Sequence, residues 1–410
     1  MAQSVSSKAP SQLDHLLSTR GRDLPAPRVG DPRQAADLIS FVFGYPDSAS
    51  LPAKSIADAT AKAMEKDGEW ALQYGKDTGA PALVDALRAK LKRDQGIDAA
   101  RENVLLTSGG SQACQLVLDL LVDPGDTVIV ESPTWMGFLY MVNNLKAKAV
   151  GVPVDDHGTD VEALEATLKR LKADGVTPKL IYVIPNFQNP SGVSTTLERR
   201  KRIVELAREY GTVVLEDDAY HDLRYAGEKI PPIYTLDDSG SVWYTGTFSK
   251  IVGAGMRIGW LVAPAEVVTK LSVLKTDGST NVFGAHVIAE WLPEHLDEHI
   301  AQLRGIYQTR RDIMLDSLKQ HMPEGTTWTV PDGGFFIWVT MPEGLDATAM
   351  RPMLRERGVD FLPGATCLTD GSGKNQFRLC YSFVTDDKID EGIRILGEVM
   401  KGELKETGRD

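Results

Sequence analysis

Short apolar runs alternate with amphipathic segments over the middle of the chain, from about residue 104 to residue 262. The runs are rich in Val, Ile and Leu and predict buried strands, whereas the amphipathic segments repeat their apolar residues at helical spacing. The predicted strands are 104–107, 127–131, 147–153, 180–184, 212–216, 242–245 and 258–262, and the predicted helices between them include 161–173 and 197–210. Strands that alternate with helices predict an α/β fold with a mostly parallel central sheet and helices on both faces.

The pattern changes towards the end of the chain. Helical spacing covers residues 264–322, and two later strands, 334–339 and 377–382, flank a further helix. We expect these later elements to form a separate small α+β domain. The predicted divisions are an N-terminal arm of residues 1–35, a small domain of residues 36–50 and 300–410, and a large domain of residues 51–299.

The N-terminal arm is rich in Ser, Pro, Arg and Asp and is predicted to be mobile. A solvated arm accounts for its arginines, and the alternative is that one of them closes over a site and binds a substrate carboxylate. These arginines are Arg20, Arg22, Arg28 and Arg33. After the arm, residues 38–46 predict a short strand that runs into a turn.

Composition narrows the possible partners. The chain has 410 residues and a formal net charge of -12, which disfavours nucleic acid and anionic membranes because both bind basic surfaces. Its three cysteines show no paired spacing, so we expect neither a disulfide framework nor a metal site. The sequence lacks an apolar run that could span a bilayer, and its N terminus lacks the apolar centre of a secretory signal. We therefore expect a cytoplasmic protein.

The segment 245–260, TGTFSKIVGAGMRIGW, combines a lysine with small hydroxyl residues and glycines. Lys250, among small and apolar neighbours, can lose its proton near neutral pH and form a Schiff base with an aldehyde. Thr247, Ser249 and Arg257 are donors suited to a nearby phosphate. An aldehyde and a phosphate on one small molecule indicate pyridoxal phosphate. The alternative is that Lys250 is a solvated surface lysine, so other segments must supply the rest of such a site.

Further candidates follow the first predicted strands. Gly110, Ser111 and Gln112 begin a helix after a strand, an arrangement that presents backbone N–H groups to a phosphate, although a plain turn explains it as well. Trp135 follows the next strand. It either packs in the core or forms a flat wall on which a ring stacks.

Polar residues also follow two later strands. Asn189 and Asp217 fit turn chemistry or helix capping, but open α/β sheets bind ligands at this same edge. Tyr74, from spacing alone, is interpreted as an ordinary loop aromatic. Arg378 interrupts an apolar strand and needs an anionic partner, which is either an internal carboxylate or a bound anion.

Four motifs occur in a fixed order: QNPSG at 188–192, DDAY at 217–220, TFSK at 247–250 and RL at 378–379. With them the chain resembles the fold-type I, pyridoxal-phosphate-dependent aminotransferases, in the class I/II branch that contains 2-aminoadipate and aromatic aminotransferases. The resemblance implies transfer of the amino group of an L-amino acid to a 2-oxo acid. The alternative on the same scaffold is another reaction of this cofactor, such as β- or γ-replacement, elimination or carbon–carbon bond formation.

The resemblance also implies roles for the candidate residues. Lys250 would form the Schiff base and carry a proton between the substrate and the cofactor, while Asp217 would pair with the pyridine nitrogen. Asn189 and Tyr220 would hydrogen-bond the phenolic oxygen, and Trp135 would stack on the ring. The residues implied to hold the phosphate are Gly110, Ser111, Gln112, Thr247, Ser249 and Arg257.

Two further implications concern the substrate and the assembly. Arg378, beside Asn189, would bind the substrate α-carboxylate through a bidentate pair. Tyr74 would reach the phosphate of a neighbouring subunit, which implies a homodimer with shared active sites. Trp135 stands where many relatives have Tyr or Phe, and the arm is unusually long, so the resemblance does not identify the amino acid that is used.

Overall fold

The computed structural model describes residues 14–22 and 38–406. The helices of these residues are α1 (Thr19–Arg22), α2 (Ala53–Ala71), α3 (Pro81–Gln95), α4 (Gly110–Leu121), α5 (Met136–Asn144), α6 (Val161–Ala173), α7 (Leu197–Tyr210), α8 (Ala265–Leu274), α9 (Val282–His321), α10 (Ala347–Glu356) and α11 (Asp386–Glu406). The strands are β1 (Ile39–Ser40), β2 (Val104–Thr107), β3 (Thr127–Ser132), β4 (Lys148–Asp155), β5 (Gly158–Thr159), β6 (Leu180–Val183), β7 (Val213–Asp217), β8 (Val242–Thr247), β9 (Gly259–Val262), β10 (Thr327–Trp328), β11 (Phe336–Thr340), β12 (Val359–Asp360), β13 (Leu362–Pro363) and β14 (Gln376–Cys380).

An eight-stranded sheet forms the centre of the fold, in the order β2-β9-β8-β7-β6-β3-β4-β5. The neighbours from β8 to β4 pair in parallel, whereas β9 is antiparallel to both β2 and β8, and β5 is antiparallel to β4. Parallel strands present their carboxyl ends along one edge of the sheet. The predicted α/β fold with a mostly parallel sheet is confirmed.

Helices cover both faces of this sheet because successive side chains of a strand point to opposite sides. Val128 and Val130 of β3 pack with residues of α4, α5 and α8, whereas Ile129 between them packs with residues of α6 and α7. The predicted helices 161–173 and 197–210 coincide with α6 and α7. The apolar stripe that defined each helix in the sequence is the face that it buries.

A smaller antiparallel sheet is formed by the later strands in the order β10-β11-β14-β13, and β1 pairs in parallel with β12. Helix α9 is 40 residues long and packs against α2 and α3 as well as against α11. It therefore joins the helices of the central part to those of the later part. The division predicted at residues 299–300 falls inside α9.

The chain that follows β1 is tied to this later part by backbone hydrogen bonds. The Phe41 N–H donates to the Asp360 carbonyl at 2.8 Å, and the Cys380 N–H donates to the Phe41 carbonyl at 3.0 Å. The strand expected within residues 38–46 is limited to Ile39–Ser40. Beyond Phe41, the chain leaves the sheet and its carbonyl groups accept hydrogen bonds from side chains of the pocket described below.

The predicted arm is described only in part. Residues Asp14–Leu16 form a 3-10 turn before α1, and Arg20 and Arg22 are exposed. Arg28 and Arg33 lie outside the described residues. Across residues 14–22 and 38–406, no helix combines the length and the apolar character needed to cross a bilayer.

Candidate active site

A cavity of about 520 Å³ lies at the carboxyl edge of the central sheet. Residues that end or follow the parallel strands form one side, and residues 42–45 with Arg378 of β14 form the other. The lining residues are Val42, Phe43, Gly44, Tyr45, Gly110, Ser111, Trp135, Met136, Ile184, Asn189, Asp217, Ala219, Tyr220, Thr247, Ser249, Lys250, Ala254, Arg257 and Arg378. Side chains that are distant in the sequence meet here because their strands end at one edge.

Lys250 ends a short 3-10 turn, Phe248–Lys250, that directly follows β8. Its Nζ donates a hydrogen bond to the Gly44 carbonyl at 2.9 Å. Burial lowers the pKa of Lys250 to about 8, because the charged amine is removed from water. A substantial fraction of this amine is therefore neutral near physiological pH, as a nucleophile requires.

Asp217 is the last residue of β7 and is only 8% exposed. Its Oδ2 accepts a hydrogen bond from the Tyr182 hydroxyl at 2.7 Å. Burial raises the pKa of Asp217 to about 6, and the Tyr182 hydrogen bond acts in the opposite direction. The carboxylate is thus ionised at neutral pH and can pair with a cationic N–H group inside the pocket.

The N terminus of α4 forms another wall of the pocket. Its N-cap is Gly109, with φ of 76°, and no side chain caps the first backbone N–H groups. A Cβ on Gly259 would lie 2.6 Å from the Gly109 carbonyl carbon and 2.7 Å from the Gly110 nitrogen, so only glycine allows this turn to approach β9. The uncapped helix end, with its partial positive charge, suits a phosphate.

Hydroxyl and guanidinium donors surround this helix end. The Thr247 and Ser249 hydroxyl groups lie 2.9 Å apart, and both residues line the pocket with Ser111. Arg257 donates to the Ala254 and Ser108 carbonyls at 3.1 Å and 3.0 Å, which holds its guanidinium beside Gly109. This donor set has the chemistry of a phosphate-binding site.

Arg378 and Asn189 line the same pocket and contact each other. One Arg378 Nη donates to the Asn189 side-chain oxygen at 2.8 Å, and the other donates to the Val42 carbonyl. Among the described residues, the buried Nε of Arg378 has no hydrogen-bond partner. A buried guanidinium with an unused donor can accept an anionic ligand.

Two aromatic side chains complete the candidate cofactor site. Tyr220 interacts with the Asn189 side chain and packs edge to face on Phe335 and Phe336. Trp135 is the residue immediately before α5 and lies in the pocket wall, where a Cβ on residue 137 would approach its ring to 2.4 Å. The glycine at this position therefore makes room for the indole.

Two of the predicted site residues lie outside the pocket lining. The Gln112 side chain accepts from the Ser108 N–H at 2.6 Å and donates to Asp277 at 3.2 Å. Tyr74 is 83% exposed and lies against Gly278. The other predicted residues all line the cavity, so the structure brings them together as one site.

Sequence reasoning missed part of the pocket. The missed lining residues are Val42, Phe43, Gly44, Tyr45, Met136, Ile184, Ala219 and Ala254. Most contribute apolar surface or a backbone carbonyl, and neither leaves a motif in a sequence. Tyr182 was also missed as the partner of Asp217. A polar group inside an apolar strand was the available signal for Tyr182, as the charge of Arg378 was in its own strand.

The fold and the pocket together define the class of the protein. An open, mostly parallel sheet that gathers a lysine, an aspartate and an uncapped helix end at its carboxyl edge corresponds to the fold-type I enzymes that use pyridoxal phosphate. The residues present fit that cofactor, because the helix end suits its phosphate and Lys250 suits its aldehyde.

The chain belongs to the family of class I and II aminotransferases, whose model matches residues 39–396. It is 38% identical over 375 residues to aromatic-amino-acid aminotransferase 1 of Thermococcus litoralis, covering 91% of this chain and 90% of that protein. It is 34% identical to the 2-aminoadipate transaminase of Thermus thermophilus, covering 90% of this chain and 92% of that protein.

Solved structures agree with this assignment. A kynurenine aminotransferase from Pyrococcus horikoshii in complex with PMP superposes with a TM-score of 0.91 and 39% identity, covering 96% of this chain and 98% of that chain. An alpha-aminoadipate aminotransferase from Thermus thermophilus, bound to a phosphopyridoxyl-leucine adduct, gives a TM-score of 0.84 and 33% identity. The match covers 92% of this chain and 96% of that chain. The predicted pyridoxal-phosphate-dependent aminotransferase, which transfers amino groups from amino acids to 2-oxo acids, is confirmed.

Proposed function

We propose that the cavity around Lys250 is the active site of this aminotransferase and that Lys250 binds the cofactor covalently. The observation that carries the proposal is the convergence of Lys250, Asp217 and Arg378 with the α4 N terminus in one cavity. When bound, pyridoxal phosphate supplies an aldehyde and an electron-withdrawing ring that stabilises negative charge at the substrate's α-carbon. The surrounding side chains would then transfer the protons and orient the cofactor and the substrate.

Lys250 is proposed to have two roles. Its lowered pKa would provide a neutral amine suited to the cofactor's aldehyde, and the same Nζ would hold and return the proton of the substrate's α-carbon. The Gly44 carbonyl, which accepts its hydrogen bond, helps to position the amine in the pocket. The amine also lies 5.8 Å from the centroid of the Tyr220 ring, and because neither contact is an ion pair it can be released to react.

Asp217, Asn189 and Tyr220 are proposed to hold the cofactor ring, with Trp135 stacked on it. The Asp217 carboxylate would keep the pyridine nitrogen protonated, which strengthens electron withdrawal. Asn189 and Tyr220 would hydrogen-bond the phenolic oxygen. The phosphate would be bound by the α4 N terminus, Arg257 and the hydroxyl groups beside them.

Arg378 is proposed to bind the substrate's α-carboxylate, next to Asn189. The remaining walls favour an aromatic or other apolar side chain. Phe43 stacks on Tyr45 with centroids 5.1 Å apart, and both pack edge to face on Phe383. Among the described residues, the cations that line the cavity are Lys250, Arg257 and Arg378, and each already has a proposed partner. None is left for a second carboxylate.

We also propose a homodimer in which Tyr74 reaches the phosphate of the neighbouring subunit. Tyr74 belongs to an exposed apolar segment, in which Trp70 is 64% and Leu72 is 71% exposed. Phe283 and Val273 are further exposed apolar residues on nearby parts of the chain. Apolar exposure of this extent is typical of surfaces that associate. A dimer would cover this surface and give the exposed Tyr74 hydroxyl a ligand.

Two organisational features complete the proposal. We propose that residues 51–299 form the cofactor-binding domain and that residues 36–50 and 300–410 form the small domain that carries Arg378. A cytoplasmic location is also proposed, and its support is that Cys114, Cys367 and Cys380 are all buried and free, as expected in a reducing compartment.

A labelled amine tests the proposed function. The protein is loaded with pyridoxal phosphate and mixed with a 2-oxo acid and one ¹⁵N-labelled amino acid at a time, beginning with aromatic amino acids and 2-aminoadipate. We expect the label to appear in the amino acid formed from the 2-oxo acid, fastest with aromatic donors, and to be absent with the Lys250→Ala variant. Unchanged label transfer by Lys250→Ala would contradict the proposed site.

A further inference from the structure

Tyr182 is a tyrosine beneath the pocket floor that does not line the cavity. It lies in β6 opposite Leu215 of β7, and its side chain is fully buried. Residues two apart on a strand share a face, so Tyr182 and Asp217 point to the same side of the sheet. The Tyr182 hydroxyl donates to Oδ2 of Asp217 at 2.7 Å. The pairing register therefore builds this contact into the sheet.

The ring of Tyr182 is held rigidly. It stacks on Phe138 with centroids 3.6 Å apart and an angle of 4° between the ring planes. Phe138 lies in α5, the helix that begins immediately after Trp135. Both stacked rings are fully buried, so the hydroxyl has little freedom to leave the carboxylate.

The Tyr182 hydroxyl stabilises the ionised form of the Asp217 carboxylate. In the described part of the chain, Asp217 forms no ion pair, and besides Tyr182 it interacts with the Ala219 backbone N–H. Burial favours the neutral acid and raises the pKa of Asp217, and the Tyr182 hydrogen bond is the largest influence that lowers it. The pKa of Tyr182 itself is raised well above its ordinary value by burial and by the Asp217 charge, so the phenol stays a donor.

We propose that Tyr182 is a positioning residue that keeps the Asp217 carboxylate ionised and aimed at the pyridine nitrogen of the cofactor. The inference rests on the proposed function, in which Asp217 pairs with that nitrogen. A phenol that donates to one carboxylate oxygen leaves the other oxygen to the pyridine N–H. It also makes the carboxylate a weaker base, so the shared proton stays on the nitrogen.

The test compares two cofactors on the cofactor-free protein. One is pyridoxal phosphate, and the other is its analogue in which a C–H group replaces the pyridine nitrogen. Dissociation constants are measured by titration for wild type and for Tyr182→Phe, which removes only the hydroxyl. We expect Tyr182→Phe to weaken pyridoxal phosphate binding roughly ten-fold and to leave binding of the analogue within about two-fold, because only the nitrogen uses Asp217.

Two further variants separate this role from a structural one. Tyr244→Phe is the matched control, since Tyr244 is equally buried but donates to Gln95 and Asp218, not to Asp217. It should leave the ratio of the two dissociation constants unchanged. In an Asp217→Asn background, Tyr182→Phe should cause no additional change in that ratio.

Each outcome decides the inference. If Tyr182→Phe weakens binding of both cofactors equally, or of neither, the proposed role of Tyr182 is overturned while the proposed function stays intact. A wild-type protein that binds both cofactors equally well would instead show that Asp217 does not pair with the nitrogen. That result would overturn the proposed function of Asp217 and the inference with it.

Discussion

Arg378 shows how one buried charge restricts what the pocket accepts. Its Nη groups are occupied by Asn189 and the Val42 carbonyl, and its guanidinium lies 4.3 Å from the Phe336 ring centroid. These contacts fix the plane of the guanidinium without neutralising its charge. A carboxylate placed against it would gain charge-assisted hydrogen bonds to a guanidinium that is only 6% exposed.

Replacing Arg378 should therefore weaken binding of carboxylates selectively. For Arg378→Ala we expect kcat/KM for the amino acid to fall roughly 30- to 1,000-fold because a buried charge partner is lost. This fall corresponds to a loss of about 2–4 kcal/mol of transition-state stabilisation. Arg378→Lys keeps the charge but loses the planar pair of donors and should recover only part of the loss. The measurement is steady-state kinetics with the amino acid donor.

A neutral ligand provides the control for Arg378. Inhibition by an aromatic carboxylic acid and by its carboxamide is compared in wild type and Arg378→Ala. The acid should lose affinity in the variant and the amide should keep it. Equal losses for acid and amide would mean that Arg378 supports the shape of the pocket and does not bind the carboxylate.

At the scale of elements, a buried carboxylate links the loops that follow β3 and β6. Glu131 in β3 accepts hydrogen bonds from Thr159, from the Ile184 N–H and from Gln188 Nε2. The same Gln188 Nε2 donates to the Pro133 carbonyl at 2.7 Å, and its Oε1 accepts from the Ser191 N–H at 2.8 Å. The loop that carries Trp135 and the loop that carries Asn189 are thus held to each other.

Ionisation of Glu131 makes the stability of the folded protein depend on pH. Burial raises the pKa of Glu131 from 4.5 to about 7 in the folded protein, so between these values the folded state keeps a proton that the unfolded state loses. Stability contributed by Glu131 is therefore present at low pH and falls as the pH rises towards 7. As the pH rises from about 5 to about 8, the free energy of unfolding of Glu131→Gln should increase by up to about 3 kcal/mol relative to that of wild type.

Thermal unfolding of the cofactor-free protein over that pH range measures this difference. The matched control is Glu165→Gln on α6, because the Lys169 and Arg202 hydrogen bonds lower the pKa of Glu165, and its contribution changes only in more acidic solution. A difference between Glu131→Gln and wild type that stays constant from pH 5 to pH 8 would show that Glu131 is not protonated in the fold.

Over the whole molecule, the sequence predicted regular elements and chemical motifs better than it predicted loops and boundaries. Periodic apolar spacing identified α6 and α7 to the residue, because each helix buries one continuous stripe. Most pocket residues that carry a polar functional group were also predicted, from Lys250 to Arg378, and Tyr45 is the exception. They follow strands of a sheet whose carboxyl edge is where such folds bind ligands.

The rest depended on tertiary contacts that leave no pattern. Residues 42–45 hold Lys250 and Arg378 through the Gly44 and Val42 carbonyls, which every amino acid possesses. Helix α9 continues through residues 299–300, with Leu296, Ile300 and Leu303 buried on both sides of that point, and the domain division there stays a prediction. The pairing of Tyr182 with Asp217 follows from strand register, which the sequence alone did not define.

A shared active site in a homodimer leads to a complementation test. Tyr74→Phe and Lys250→Ala proteins are unfolded, mixed in equal amounts and refolded together. If Tyr74 serves the neighbouring subunit, each mixed dimer regains one intact site, and activity should rise to about a quarter of wild type. Each variant refolded alone is the control. No gain over these controls would mean that Tyr74 serves its own subunit or no site, and a monomer in light scattering would contradict the dimer directly.

Attachment of the cofactor to Lys250 underlies every role proposed for the pocket, and chemical trapping identifies the attached residue. The protein is loaded with pyridoxal phosphate, reduced with borohydride, digested and analysed by mass spectrometry, with Lys250→Ala treated in parallel. We predict a pyridoxyl group on the peptide that contains Lys250 and none on that peptide in the variant. A label on another lysine, such as the buried Lys275 that pairs with Asp277, or no label at all, would contradict the account.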